Sequence, residues 1–426
     1  MAKQKSILVS VVLCLIVALA SACSLPKIEG PTPTAPSETA AAPESTATPA
    51  APVATATQPV QATAASPTAE PAPTAEAEPT RTRSLHMNSP EYGMQAFLWW
   101  RPEVASRDLQ IISEAGFGWV KVNFGWREIE LEKGGFDWSH TDTIVDMASA
   151  EGLDIIARVD FQPEWAGGGF PQVGPPDDLQ DLGDFLSAVA SRYAGRIRAY
   201  QVWNEPNLGR EWGNQTPDPA QYAEMLKIAY QAIKDADPGA MVISAGLSPT
   251  GVSDANTLPD DVYLTRLYEA MNGDSDGYFD VLGAHGAGYL SPPDIDPDTV
   301  ANTPSLGGHR SMAFRRVEDL RQIMVDNGDQ DKQVALLEFG WTSDPRPDSP
   351  YHWHAVSEEQ KGEYMVAAYQ YAREHWSPWI GVMSLIYVCD PDWTEDDEQY
   401  WWAITDPSYP EFKPRPAYEA LKAMEK

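Results

Sequence analysis

Two glutamates in this 426-residue chain stand where burial alone gives no reason for a carboxylate. Glu205 lies between Asn204 and Pro206, directly after Trp203 at the end of an apolar run. A carboxyl in so apolar a setting is desolvated, which is expected to raise its pKa toward the range a general acid needs near neutral pH. Glu338 follows Val334-Ala335-Leu336-Leu337 and precedes Phe339-Gly340-Trp341. Burying it unpaired is costly, so it is expected to emerge at the end of its strand. Each has a plainer reading. Asn and Pro can serve only the geometry of a turn, and Glu338 can belong to a structural ion pair.

The elements that must position these groups alternate in type. Strand-like runs are expected at residues 94–99, 119–124, 154–159, 197–203, 241–245, 279–284, 334–338 and 380–388. Helical patterns lie between and after them, near 103–114, 141–150, 179–193, 220–235, 260–271, 310–326, 357–374 and 416–424. Eight such pairs mean βαβ units and a parallel sheet, and the runs are continuously apolar, as strands covered on both faces are. The expected fold class is α/β, a (β/α)8 barrel, with units of about 42 residues. An open doubly wound sheet is the runner-up, weakened because no Gly-rich phosphate loop follows the first strand. In a barrel the site lies at the C-terminal ends of the strands. Glu205 and Glu338, 133 residues apart, then fall on strands four and seven. Two carboxyls so placed can flank a sugar. A separation of about 5–5.5 Å gives retention of configuration and a wider one inversion.

With these residues in view the chain resembles clan A of the retaining glycoside hydrolases. The resemblance is carried by Trp203-Asn204-Glu205-Pro206 and by Glu338 in Leu337-Glu338-Phe339-Gly340-Trp341. Phe124-Gly125-Trp126-Arg127-Glu128-Ile129-Glu130 and Lys133-Gly134-Gly135-Phe136-Asp137-Trp138 are similar to family 39, with family 5-like enzymes as further relatives. The likeness extends over about residues 88–426. It implies that Glu205 is the acid/base, Glu338 the nucleophile, and Asn204 the partner of the sugar 2-hydroxyl. Clan A members often carry a His-x-Tyr element on strand six whose Tyr supports the nucleophile. Here the segment reads His285-Gly286-Ala287-Gly288-Tyr289, so the residue in that role is open. His285 and Tyr289 are carried as substrate-side candidates.

Sugar rings stack on aromatic faces, so Trp99, Trp100, Trp126, Trp165, Trp341 and Trp393 are candidate platforms, most of the 15 Trp being packing residues. Trp126, Trp341 and Trp393 are the chosen three, Trp393 because clan A members keep a stacking Trp there. Arg158 is expected to meet sugar hydroxyls or Glu338, or to form a structural pair. The acidic loops Asp294/Asp296/Asp298 and Asp390/Asp392/Glu395/Asp396/Asp397 have enough oxygens for Ca²⁺ but match no EF-hand, and a solvated loop is the favoured reading. No metal and no cofactor is called for by the mechanism.

The first 83 residues are of another kind. Lys3 and Lys5, an apolar run to Leu19 and the small residues Ala20-Ser21-Ala22 make a secretory signal over residues 1–22. Its apolar run is shorter than the roughly 20 residues of a spanning helix. Cys23 follows at once, which resembles a bacterial lipoprotein signal in which that Cys is lipidated; an ordinary cleaved signal that happens to contain a Cys is the alternative. Residues 23–83 hold 12 prolines and no Phe, Trp or Tyr, the composition of a disordered linker. The catalytic domain is expected at 84–426. One Cys, Cys389, remains there, so no internal disulfide supports it. Residues 1–83 carry a net charge of −1, leaving −31 for the rest. So acidic a domain repels nucleic acid and polyanionic glycans and fits a neutral oligo- or polysaccharide. The membrane is expected to be met through the lipid only, outside the cytoplasm. A carbohydrate-binding lipoprotein and a catalytically silent barrel are the alternatives.

Overall fold

The structure, a computed structural model, describes residues 84–169 and 171–426. The calls on the signal, on Cys23 and on the linker lie outside the described residues. Eight parallel strands close into one barrel: β1 (Glu91–Gln95), β2 (Trp119–Asn123), β3 (Asp154–Val159), β4 (Ala199–Val202), β5 (Met241–Ser244), β6 (Val281–Ala287), β7 (Gln333–Gly340) and β8 (Ile380–Leu385). Closure is made by β8 pairing β1, with Val382 opposite Glu91 and Leu385 opposite Met94. Eight principal helices follow the strands in turn: α1 (Pro102–Glu114), α2 (Ser139–Ala150), α3 (Leu179–Arg192), α4 (Pro219–Ala236), α5 (Asp260–Ala270), α6 (Arg316–Asp326), α7 (Glu358–His375) and α8 (Pro416–Ala423). The closed barrel replaces the open sheet as the only architecture to be considered.

Local signals explain the helix starts. Pro occupies the first turn of α1, α4 and α8, where its missing N–H costs nothing. Asp178 and Asp218 cap α3 and α4 through their side chains, and Ser357 with Gln360 forms a capping box on α7. Two expectations shift. The first strand lies at Glu91–Gln95 rather than 94–99, because Phe97 to Trp100 belong to the loop at the barrel mouth, where Trp100 is 63% exposed. The helix expected from 310 begins at Arg316, with a single separate turn at Arg310–Met312.

The barrel interior is graded. Trp119, Ile156, Ala199, Ile243, Val281, Leu337 and Val382 fill its lower part, with Met87 plugging the base through two hydrogen bonds to Gln333. Alternation of faces then carries Lys121, Arg158 and Gln201, two positions further along, into the same interior nearer the mouth. In β7 the count is broken. Ala284 pairs Leu336 but His285 pairs Glu338, so Leu337 is an extra residue in the ladder. That bulge lets Leu337 and Glu338 both turn inward, the first into the apolar layer and the second level with His285.

The loop that follows β8 is anchored to α7 by a buried lysine. Lys361 Nζ donates to Ala403 O at 2.8 Å, Trp401 O at 3.0 Å and Glu358 Oε1 at 3.0 Å, and burial pushes its pKa down to about 8. Lys361→Met keeps the volume but leaves these acceptors dry and unmet. It should cost about 3 kcal/mol, read as a lower urea midpoint at unchanged m value.

Candidate active site

Glu205 sits on a tight turn after β4 that only surrounding bonds can hold. Trp203 and Glu205 both have positive φ, 70° and 40°, conformations that cost non-glycine residues roughly 1–3 kcal/mol each. Bonds from several elements hold this turn in place. Gln201 Nε2 donates to Trp203 O at 2.9 Å, Trp203 Nε1 donates to Glu211 O at 2.9 Å, and Glu205 N donates to Gly246 O at 3.1 Å. Tyr222 of α4 ties the two neighbouring strands, donating to Val202 O and accepting from Ala245 N. Asn207 fastens the loop to the one after β5 through Ser248 and Leu258. Asn204 is 5% exposed, with Gln201 Nε2 3.4 Å from its Oδ1.

The two glutamates meet across His285. Its Nδ1 lies 3.1 Å from Glu205 Oε1 and 3.9 Å from Glu338 Oε2. Those two oxygens therefore lie no more than about 7 Å apart, which excludes all but the narrow end of the inverting range of about 6.5–9.5 Å and leaves room for the retaining separation of about 5–5.5 Å. Gly246 makes room for the imidazole: a Cβ there would lie 2.1 Å from His285 Cδ2.

Each carboxylate has its own cations. Lys121, 1% exposed on β2, donates to Glu338 Oε1 at 2.7 Å, and Arg158 Nη1 stands 3.7 Å from the same oxygen. Arg158 is itself held on buried Asp160 at 2.6 Å, and Asn123 donates to that carboxylate's other oxygen. Burial would raise the Glu338 pKa, but Lys121, then His285 and Arg158, outweigh it and hold the group below the usual carboxylate range. At Glu205 burial acts in the same upward direction. Arg210, whose Nη2 lies 2.5 Å from Oε2, prevails together with His285 and Ser248. The raised pKa expected for Glu205 is thus corrected: a guanidinium unseen in the strand pattern keeps it ionised. The raised carboxyl is a neighbour, Glu211, pushed up to about 7 chiefly by burial.

Among the other expected residues, Arg158 fulfils two of its three readings at once, pairing Asp160 and facing Glu338. Tyr289 does not reach the nucleophile position. The two added residues send its hydroxyl to Pro249 O at 3.2 Å, and its ring stacks on Trp353 at 6.1 Å. Gly288 is pressed against Trp341, where a Cβ would lie 1.7 Å from the indole. Lys121 stands beside Glu338 instead. Trp126 and Trp341 are corrected as platforms. Both are fully buried with their N–H groups used, by Glu130 and by Ser291 O, and their faces covered by Phe185 and Phe314. Trp393 is half-buried at the mouth, edge-on to Phe97 at 4.9 Å and to Tyr387 at 5.5 Å. The acidic loops face arginines: Asp390 and Asp392 meet Arg101, and Asp298 meets Arg310. Among the described residues no cluster of three or more metal-ligating side chains occurs.

Sequence reasoning passed over Lys121, Asp160, Arg210 and Glu211. Lys121 had a signal, a lysine inside the apolar run Trp119-Val120-Lys121-Val122. Arg210 and Glu211 had none, since charged residues in a loop are ordinarily solvated.

Comparison with known proteins finds similarity to glycoside hydrolases. Residues 95–182 match the model of glycoside hydrolase family 42, described as β-galactosidase. A β-xylosidase of Geobacillus stearothermophilus is 27% identical over 145 residues, 29% of this chain and 28% of its own. An endo-1,4-β-xylanase of Hypocrea jecorina is 29% identical over 123 residues, 27% of this chain and 34% of its own. The chain thus spans about a third or less of the length of these relatives. Among solved structures, a family 39 glycoside hydrolase from Bacteroides cellulosilyticus superposes with a TM-score of 0.56 at 20% identity, covering 80% of this chain and 63% of its own. A glucosidase from Croceicoccus marinus does so with 0.56 at 14%, covering 80% and 68%. These superpositions support the barrel fold.

The role of Lys121 is open to measurement. With Lys121→Met, burial of Glu338 loses its main opponent, so the Glu338 carboxyl should titrate at least about one pH unit higher by ¹³C NMR. An unchanged titration would mean that Arg158 and His285 suffice.

Proposed function

We propose that the protein is a retaining glycoside hydrolase acting on a β-linked, neutral oligo- or polysaccharide. The observation that carries the reading is the pair of buried carboxylates bridged by His285, with separations of 3.1 and 3.9 Å to its Nδ1. Glu338, kept ionised by Lys121 and Arg158, attacks the anomeric carbon. Glu205 protonates the departing oxygen, then takes a proton from the water that releases the glycosyl-enzyme. Asn204, beside the acid/base, is placed by the clan A resemblance on the 2-hydroxyl. Trp393, with Phe97 and Tyr387, offers an aromatic rim for a sugar face.

The β linkage is supported by the xylosidase, xylanase and galactosidase relatives. Neutrality is supported by the acidic balance of the domain. Export and lipid attachment at Cys23 are part of the same proposal, on the strength of the N-terminal sequence; Cys23→Ala should release the protein from the membrane fraction on cell fractionation.

A 2-fluoro glycosyl fluoride should label Glu338 covalently, as found by peptide mass spectrometry. Glu205→Ala should slow turnover of unactivated glycosides about 10²–10⁴-fold, with azide restoring it for activated ones. Glu338→Ala should remove turnover and labelling together. Wild-type rates in both alanine variants would sink the assignment.

A further inference from the structure

Glu205 must carry a proton when the leaving group departs, yet the resting site holds it ionised. The cation responsible is not dedicated to it. Arg210 Nη2 lies 2.5 Å from Glu205 Oε2, while Nε of the same guanidinium lies 3.6 Å from Glu211 Oε1. All three side chains are largely withdrawn from water, at 31% exposed for Arg210 and 12% and 16% for the two carboxylates. Arg210 and Glu211 share one short turn, Gly209–Glu211, and the guanidinium already stands within 3.6 Å of both carboxylates. A displacement of less than about 1 Å turns its contact with Glu211 into a hydrogen bond.

We infer that Arg210 and Glu211 form a switch that sets the protonation of the acid/base: Arg210 rests on Glu205 and passes to Glu211 when the leaving-group oxygen reaches Glu205. The inference rests on the hydrolase reading of the same site. In the resting state Glu211 holds a proton over the lower part of the neutral range. As the guanidinium arrives, Glu211 releases that proton to water, and Glu205, now without its cation, takes one up from water. One O–H bond breaks and one forms, and the charge of the three groups together is unchanged. The other charged and polar groups facing them act in both directions, His285 and Ser248 continuing to favour the ionised form of Glu205. Arg158 and Asp160, from β3 and its end, lie beside Glu211 and oppose each other. His285 of β6 and Ser248 of the loop after β5 stay on Glu205, Glu338 of β7 lies beyond them, and Tyr351 of the loop after β7 adjoins Arg210. Arg210 and Glu211 are positioning residues, since neither touches the bond being broken.

The test uses the full chain and aryl β-glycosides with 2,4-dinitrophenol, 4-nitrophenol and phenol as leaving groups, on the sugar that the wild type cleaves fastest. Glu211→Gln removes the second seat for the arginine. The loss should be small for the dinitrophenyl glycoside and at least about tenfold larger for the phenyl one, with the basic limb of kcat/KM moved to lower pH. Arg210→Gln frees Glu205 and should move that limb up by about one pH unit or more, with Arg210→Lys returning it. Folded variants with the wild-type dependence on leaving group and wild-type pH limbs would overturn the switch while leaving the hydrolase reading in place. If the wild type cleaves no aryl glycoside, that reading fails, and ¹³C titration decides the switch separately. The Glu205 carboxyl should titrate higher in Arg210→Gln than in wild type, and an equal titration overturns it.

Discussion

Two largely buried carboxylates within about 7 Å of each other repel one another and lose hydration, and the architecture of the mouth answers that cost. Lys121 from β2, Arg158 from β3, Arg210 from the loop after β4 and His285 from β6 surround Glu205 and Glu338. Four separate elements contribute, which a closed barrel permits because neighbouring strand ends face a common axis. The interior below them is lined by apolar side chains, so these cations are the local counter-charge. Removing one partner of such a buried set leaves an uncompensated charge.

The same constraint explains where backbone strain is tolerated. Trp203 and Glu205 have positive φ in one tight turn that bonds to Tyr222 of α4 and to the end of β5 help hold in place. A regular strand end would carry Glu205 along the barrel wall, whereas the turn aims it inward at His285. The bulge at Leu337 does the equivalent for Glu338 on the opposite side. Strain and bulge thus act as aiming devices, and both are held by hydrogen bonds from other elements rather than by local preference.

The electrostatic asymmetry between the two carboxylates then has functional content. Glu338 is held by Lys121, 1% exposed on β2, which suits the lasting ionisation that the proposed nucleophile role requires. Glu205 is held by Arg210, 31% exposed on a loop turn, which suits the change of protonation state that the proposed acid/base role requires. In the proposed mechanism a fixed cation thus serves the fixed charge and a movable one the changing charge.

The sequence by itself determined the eightfold alternation, favoured the closed barrel over an open sheet, and singled out the two glutamates that the structure brings together. Apolar periodicity and turn residues are local properties, and a carboxylate in an apolar run is visible wherever it folds. It determined the strand boundaries less well at β1, since Phe97 to Trp100 are apolar for the sake of the mouth rather than the sheet. It misjudged Trp126 and Trp341, because an indole flanked by site residues reads alike whether its face is open or packed. The tertiary structure alone decided which cations meet which carboxylate, since Lys121, Arg158, Arg210 and His285 come from segments up to 217 residues distant from their partners. It alone decided the direction of the Glu205 pKa shift as well. Burial can be inferred from neighbours in the chain, but the guanidinium that reverses its effect acts through a distance of 2.5 Å that no spacing in the sequence records.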